Sequence, residues 1–314
     1  MYPKIDFHVH YLTDCYKAFL RRNYGVEPEG FPTPAWNLEN QIKMMEDNGI
    51  RYGMLGISSP YFCCGDEAEE ITAVRENNRQ IAMLLKGYES RLGYLAALPT
   101  GAESAALKEI ERAMNEGALG FSLSTHANGA YLGNPIFDPL MEELNRRKSI
   151  VHIHPTCPSA VPEDACAGFP IPAMEFFFDT TRAFVNMCLM HVFERWPDIQ
   201  FIFSHGGALV PLLSDRLDVF FKRREEELDI HASLGHAYYD LAGYIEPKQL
   251  SVLLMEVPED HLLYGSDYPH TGQKHVAQNR KSLEETEKLT DRQKQKIFWK
   301  NGKRLLSHVD ALNE

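Results

Sequence analysis

No run of apolar residues in this chain of 314 approaches the ~18 that a membrane span requires. The opening Met1-Tyr2-Pro3-Lys4-Ile5-Asp6 also lacks the apolar stretch of a secretory leader. A membrane partner is therefore not expected, and a cytoplasmic location is. Positive charge is scarce: 32 Lys and Arg stand against 44 Asp and Glu, for a net charge of -12 and a pI near 5.6. Nucleic-acid binding needs clustered cations. The densest basic run, Lys222-Arg223-Arg224, passes at once into Glu225-Glu226-Glu227, the mixture of a solvated helix face. The six cysteines (15, 63, 64, 157, 166 and 188) show no CxxC spacing, which argues against a zinc knuckle or a thioredoxin-like motif. Without an export signal their thiols are expected to be reduced. No glycine fingerprint follows an early strand, and no linker, repeat or low-complexity tract interrupts the chain.

What is present is regular. The hydrophobic fraction is 44% and the charged fraction 24%, both ordinary for a globular chain, and a chain of this length buries about three quarters of its unfolded surface. Short apolar runs alternate with longer amphipathic ones. The strands expected are Lys4–His10, Arg51–Ser58, Gly93–Leu98, Gly117–Ser124, Ile150–His154, Gln200–His205, Ala237–Ala242 and Leu262–Ser266. Between them the spacing predicts helices over Asn37–Asn48, Ala68–Tyr88, Glu103–Asn115, Asp138–Arg147, Met174–Arg195, Leu209–Glu227, Pro247–Met255 and Lys274–Leu306. Eight strand–helix units predict an α/β fold, a parallel (β/α)8 barrel forming one domain over residues 1–314. An open doubly wound sheet is the alternative, disfavoured by the missing glycine fingerprint. Two connections are long, Tyr11–Trp36 and Thr156–Ala173. Both leave the C-terminal ends of strands, where barrel enzymes build their sites. They read as pocket walls, each with room for a short helix.

The chemistry gathers at those strand ends. Asp6-Phe7-His8-Val9-His10 places His8 and His10 on one face, because residues i and i+2 of a strand point the same way. His152-Ile153-His154, Phe203-Ser204-His205 and Gly265-Ser266-Asp267 end three further strands in imidazole or carboxylate. Unpartnered, such groups cost several kcal/mol to bury; a shared divalent cation satisfies them together. Three His and one Asp suit zinc, with Mn²⁺ or Fe²⁺ also compatible. Packed core histidines are the plainer reading of any one of these pairs. The strand Ala118–Ser124 offers no Lys, Glu or Asp to bridge a second metal, which favours one ion.

Asp6-Phe7-His8-Val9-His10, Tyr131-Leu132-Gly133-Asn134-Pro135, His154-Pro155-Thr156-Cys157-Pro158, Asp179-Thr180-Thr181-Arg182, Ser204-His205-Gly206-Gly207 and Gly265-Ser266-Asp267-Tyr268-Pro269 occur in that order. Together they resemble the amidohydrolase superfamily, in its aminocarboxymuconate-semialdehyde decarboxylase-like branch, and most of all its salicylate-type decarboxylases. The resemblance implies that His8, His10, His154 and Asp267 hold the metal and that His205 and Asp267 are catalytic. It also implies that Arg216 binds a carboxylate, in some relatives from a partner subunit, within a homodimer or dimer-based oligomer. One departure is Gln41, where some members carry an arginine; Arg182 or Arg51 is the remaining cation for that task.

The function implied is nonoxidative decarboxylation of a small aromatic or enol-type carboxylic acid. Hydrolysis of a lactone or amide by water activated at the metal is the alternative, and a ligand-binding barrel without turnover is a third class. Among the other polar residues, His126 is a candidate pocket contact or a surface histidine. His152 and His270 are candidates for support behind the metal ligands. Asp240 either orients a ligand histidine or holds backbone amides. Phe176-Phe177-Phe178 reads as helix packing or dimer contact ahead of a substrate platform, and Asp179-Thr180-Thr181-Arg182 as a helix cap, with the pocket floor as the alternative.

Overall fold

Lys4–His10, strand β1, is buried along its whole length, as a strand covered on both faces must be. In the computed structural model, which describes residues 2–312 apart from Glu163 and Glu226, seven more strands follow it in the sheet. They are β2 (Ile50–Gly56), β3 (Leu92–Ala97), β4 (Gly120–Ser124), β5 (Ile150–His154), β6 (Gln200–Phe203), β7 (Tyr238–Asp240) and β8 (Leu262–Leu263). Each pairs in parallel with its neighbour in chain order. The ring closes where the chain beyond β8 returns to β1. Phe7 N donates to Tyr264 O at 2.9 Å, and Asp267 N to His8 O at 2.7 Å. The structure is the (β/α)8 barrel expected from the alternation. Of the expected 1–314 unit, Met1, Asn313 and Glu314 lie outside the described residues, as does Glu226 in the charged run.

The interior is layered. Met54, Leu95, Ile202 and Leu263 belong to an apolar cluster that Leu306, Val309 and Leu312 of the C-terminal segment join. Asp6, His8, Ser122, His152, Ser204 and Asp240, on or just after strands of the sheet, are all buried and polar. A larger apolar core lies between strands and helices, with Phe121, Phe184, Phe201, Phe203 and Tyr239 among its members.

Several elements end earlier than their sequence pattern. β6 stops at Phe203 because His205–Gly207 forms a tight turn, with His205 at φ 54°. The expected helix Met174–Arg195 begins at Ile171, with Pro172 in its first turn, and runs to Leu189. It breaks where His191 takes the left-handed φ of 52°, before Val192–Arg195. The expected helix Lys274–Leu306 is interrupted too. Gln273–Glu285 ends, and a capping box between Thr290 and Gln293 starts a new helix at Asp291. The loop after β1 does contain a helix, Asp14–Tyr24. The loop after β5 contains none among its described residues before Ile171.

Candidate metal centre and substrate cavity

β1 turns His8 and His10 toward one point, with ring centroids 4.8 Å apart. His154, from the end of β5, brings its ring to 5.3 Å from His8 and 5.0 Å from His10. Asp267 reaches the same point from beyond β8, held at a left-handed φ of 57° that an L-residue adopts only under constraint. Its Oδ1 lies 3.4 Å from His8 Nε2 and 3.2 Å from His10 Nε2, and its Oδ2 accepts from Thr271 Oγ1 at 2.9 Å. Gly265 makes the approach possible: a Cβ there would meet His8 Cβ at 2.7 Å.

The outward nitrogens of the three rings share one orientation. His10 Nδ1 faces Gly56 O at 3.3 Å, and His154 Nδ1 faces Pro155 O at 2.7 Å. His8 Nδ1 lies 3.0 Å from Asp240 Oδ2. Carbonyl acceptors at the Nδ1 atoms of His10 and His154 place their protons there and leave those Nε2 lone pairs free, while His8 Nδ1 lies beside the Asp240 carboxylate without a hydrogen bond to it. His8 Nε2 and His10 Nε2 are buried without a hydrogen-bond partner, which in a sealed interior calls for a missing positive group. His8, His154, His205 and Asp267 each offer a ligand atom within 4.8 Å of the others. By donor type and by these orphaned nitrogens, the residues fit a divalent cation.

Electrostatics point the same way. Burial pushes His10 down to about 3 and His205 to about 4, and His154 well below its usual range, so these rings stay neutral and basic. Burial also opposes charge on His8, but the Asp240 carboxylate and then Asp267 outweigh it and lift that imidazole to about 10. Burial resists ionisation of Asp267, yet the His10 and His8 imidazoles beside it hold it well below the ordinary carboxylate range. The cluster thus traps one positive charge between two carboxylates, a charge that a bound cation would replace.

Asp240 supports the arrangement from beneath, and both of its expected roles are present. Oδ2 accepts from His152 Nε2 at 3.0 Å and lies beside His8 Nδ1. Oδ1 accepts from the amides of His205 and Ala242, each at 3.1 Å.

Above the cluster opens a cleft. His154, His205, Asp267 and His270 form its polar end, and Phe31, Pro32, Phe176 and Phe177 wall it. Phe177 lies nearly parallel to the His205 ring, 6.1 Å away. Two of the three phenylalanines read from sequence as packing are therefore cavity wall; Phe178 is 37% exposed.

Other candidates fall elsewhere. His126 lines a neighbouring cavity, with Nε2 3.1 Å from Cys157 O. Arg182 is exposed beside Tyr131, and Arg51 is exposed near the start of β2, far from the strand ends. Arg216 is exposed on the helix Val210–Arg224, its guanidinium 5.3 Å from the Phe220 ring centre. Gln41 is buried and accepts from Trp36 Nε1 at 3.1 Å. Asp179 is no cap. From the middle of its helix it accepts from Thr125 Oγ1, Tyr131 OH and Thr156 N, tying the loop after β5 in place. Glu29 was not singled out in the sequence; it lines the cleft from the loop after β1.

A barrel with imidazoles and an aspartate at its C-terminal mouth is the architecture of a metal-dependent hydrolase or lyase. The family model described as amidohydrolase matches residues 5–307, and the chain belongs to that family. It is 31% identical over 286 residues to decarboxylase yanB of Aspergillus niger, spanning 85% of this chain and 77% of the relative. It is 28% identical over 300 residues to 6-methylsalicylic acid decarboxylase acuB of Aspergillus aculeatus, spanning 90% and 89%. The crystal structure of an amidohydrolase II superposes with a TM-score of 0.94 at 39% identity, over 97% of this chain and 99% of that one. A 5-carboxyvanillate decarboxylase from Novosphingobium aromaticivorans, complexed with manganese and 4-hydroxy-3-methoxy-5-nitrobenzoic acid, shares the fold. Its TM-score is 0.86 at 21% identity, over 98% and 96%.

Proposed function

We propose that this chain is a metal-dependent nonoxidative decarboxylase of an aromatic carboxylic acid, with one divalent cation held by His8, His10, His154 and Asp267. The observation that carries the reading is the convergence of three imidazoles at the floor of an aromatic-walled cleft, with the Nε2 atoms of His8 and His10 facing Asp267 and the Nδ1 atoms of His10 and His154 against backbone carbonyls. The named relatives, decarboxylases of which one acts on 6-methylsalicylic acid, support the reaction and the substrate class. The three-nitrogen, one-oxygen donor set favours zinc; manganese, present in the carboxyvanillate enzyme, is the other outcome of a metal analysis.

When bound, the cation supplies orientation and charge stabilisation for the acid's oxygens. Phe176 and Phe177 hold the ring and exclude water. The proton that replaces the carboxylate arrives from the side of Asp267 and His205. That proton joins the ring carbon, the bond to the carboxylate carbon breaks, and its electron pair restores the aromatic ring as CO₂ leaves. Burial lowers His205 to about 4, so its ring is neutral at working pH and passes a proton on rather than storing one.

Arg216 lies outside its own cleft, on a helix that also exposes Leu212 (65%), Val219 (48%) and Phe220 (51%). This face supports a homodimer in which Arg216 meets the substrate carboxylate of the neighbouring protomer. The six cysteines are free and no described helix is long and apolar enough to cross a membrane, which supports the cytoplasmic reading.

The test is CO₂ release from hydroxybenzoates and muconate-like acids by metal-analysed protein, with lactones and amides in parallel. Release that disappears in Asp267→Asn and His205→Ala is the expected result. Turnover of a lactone or amide without CO₂ would replace this reading with hydrolysis.

A further inference from the structure

Glu29 occupies an unusual position for a carboxylate. It sits in the tight turn Pro28–Gly30 of the loop after β1, at φ 59° and ψ 23°, a left-handed conformation uncommon for a non-glycine residue. Its side chain crosses to the loops after β2 and β5, between this cleft and the neighbouring cavity that Thr156 and Cys157 line. Oε1 accepts from Ser59 Oγ at 2.7 Å, from Cys157 N at 2.7 Å and from Thr156 Oγ1 at 3.3 Å. Oε2 accepts from none of the described residues, and no Lys, Arg or His among them forms an ion pair with the carboxylate. Burial raises its acid to about 7. Glu29 lines the same cleft as His154, His205 and Asp267, with Phe31, Pro32, Thr33, Ser58 and Ser59 also in the lining.

A residue needed only to pin the loop would use Oε1 alone. Glutamine offers that oxygen without the cost of burying a carboxylate. The ionised acid keeps a second acceptor oxygen, fixed in direction by three donors on its twin and free of hydrogen bonds to the described residues. An acceptor prepared in this way is how a protein reads a hydroxyl or amino group on its ligand, since an analogue lacking the donor leaves the acceptor unpaired.

We propose that Glu29 is a specificity-determining residue whose Oε2 accepts a hydrogen bond from a ring hydroxyl or amino group, so that the preferred substrate is an aromatic acid carrying such a donor away from its carboxylate. The inference rests on the decarboxylase reading for its substrate class. Hydroxybenzoates give the test. Salicylate is compared with the 2,3-, 2,4-, 2,5- and 2,6-dihydroxybenzoates, using metal-loaded wild type and Glu29→Gln of matched metal content and Tm. Wild type should favour one dihydroxy isomer over salicylate. Glu29→Gln should lower kcat/KM for that isomer by about 10²-fold, and for salicylate by less than about 3-fold. An equal loss on every acid, or no isomer preference in wild type, would overturn the proposal and leave Glu29 a loop fastener. Should no acid release CO₂, the decarboxylase reading falls. The same acids then serve as binding probes by calorimetry, where an isomer preference that Glu29→Gln removes upholds the role of Glu29 and its absence rejects it. Glu29→Asp, which withdraws the carboxylate by one methylene, gives the second variant should the first be unstable.

Discussion

The two layers of the barrel interior belong to one sheet but follow opposite rules. Toward the strand starts, Met54, Leu95, Ile202 and Leu263 pack with Leu306 and Leu312, and burial of apolar area does the stabilising. Toward the strand ends, His8, His10, His152, His154 and Asp240 are equally buried, yet several of their nitrogens lack partners. One layer is complete as it stands. The other is organised around a charge that the side chains do not themselves supply, and its geometry is paid for by the layer below.

If that division is right, substitutions should separate stability from metal retention. The largest effect belongs to His8→Ala combined with His10→Ala. Metal content should collapse and CO₂ release should fall by at least roughly 10³-fold, with the circular dichroism spectrum unchanged. Retained metal in the double variant, measured by mass spectrometry, would dissolve the distinction. Next comes Leu263→Ala, from the lower layer. It should cost about 2–5 kcal/mol in denaturant unfolding while the native fraction keeps its full metal complement. Asp240→Asn probes the boundary between layers. Loss of the acceptor beside His8 and His152 should weaken metal affinity by about 10–100-fold in a competition titration, with a smaller loss of stability. Finally, Lys281→Ala lies outside both layers, in an exposed pair with Glu285 at 3.7 Å. It should move neither Tm nor metal affinity. Added metal should raise Tm of wild type with concentration, by the linkage of binding to folding, and should fail to do so for the double histidine variant.

Much of this was legible before any coordinates. The period-two spacing of His8 and His10 and the polar endings of the other strands mark the mouth of the barrel, because strand ends are where side-chain direction follows from chain position alone. Legibility fails where direction depends on a rotation or a path. Phe176 and Phe177 face the cleft because of how Ile171–Leu189 is rolled about its axis, which apolar spacing in a nearly all-apolar stretch does not encode. His126 turns toward Cys157 O because a two-residue ribbon follows β4. Glu29 reaches the cleft by way of a long connection whose course is set by contacts with Ser59 and Cys157, residues from two other loops. The helix break at His191 has no glycine or proline at that residue to announce it.

The closure between β1 and the chain beyond β8 carries a consequence for how the protein is made. Ser266 N donates to Asp6 Oδ1 across 260 residues of chain, and Asp267 N to His8 O alongside it. The bonds that shut the ring and the residues that converge on its mouth are therefore one assembly, and contacts so distant in sequence form late and slowly. A ribosome must release nearly the entire polypeptide before Asp267 can meet His8, so competence for chemistry arrives only with the last strand.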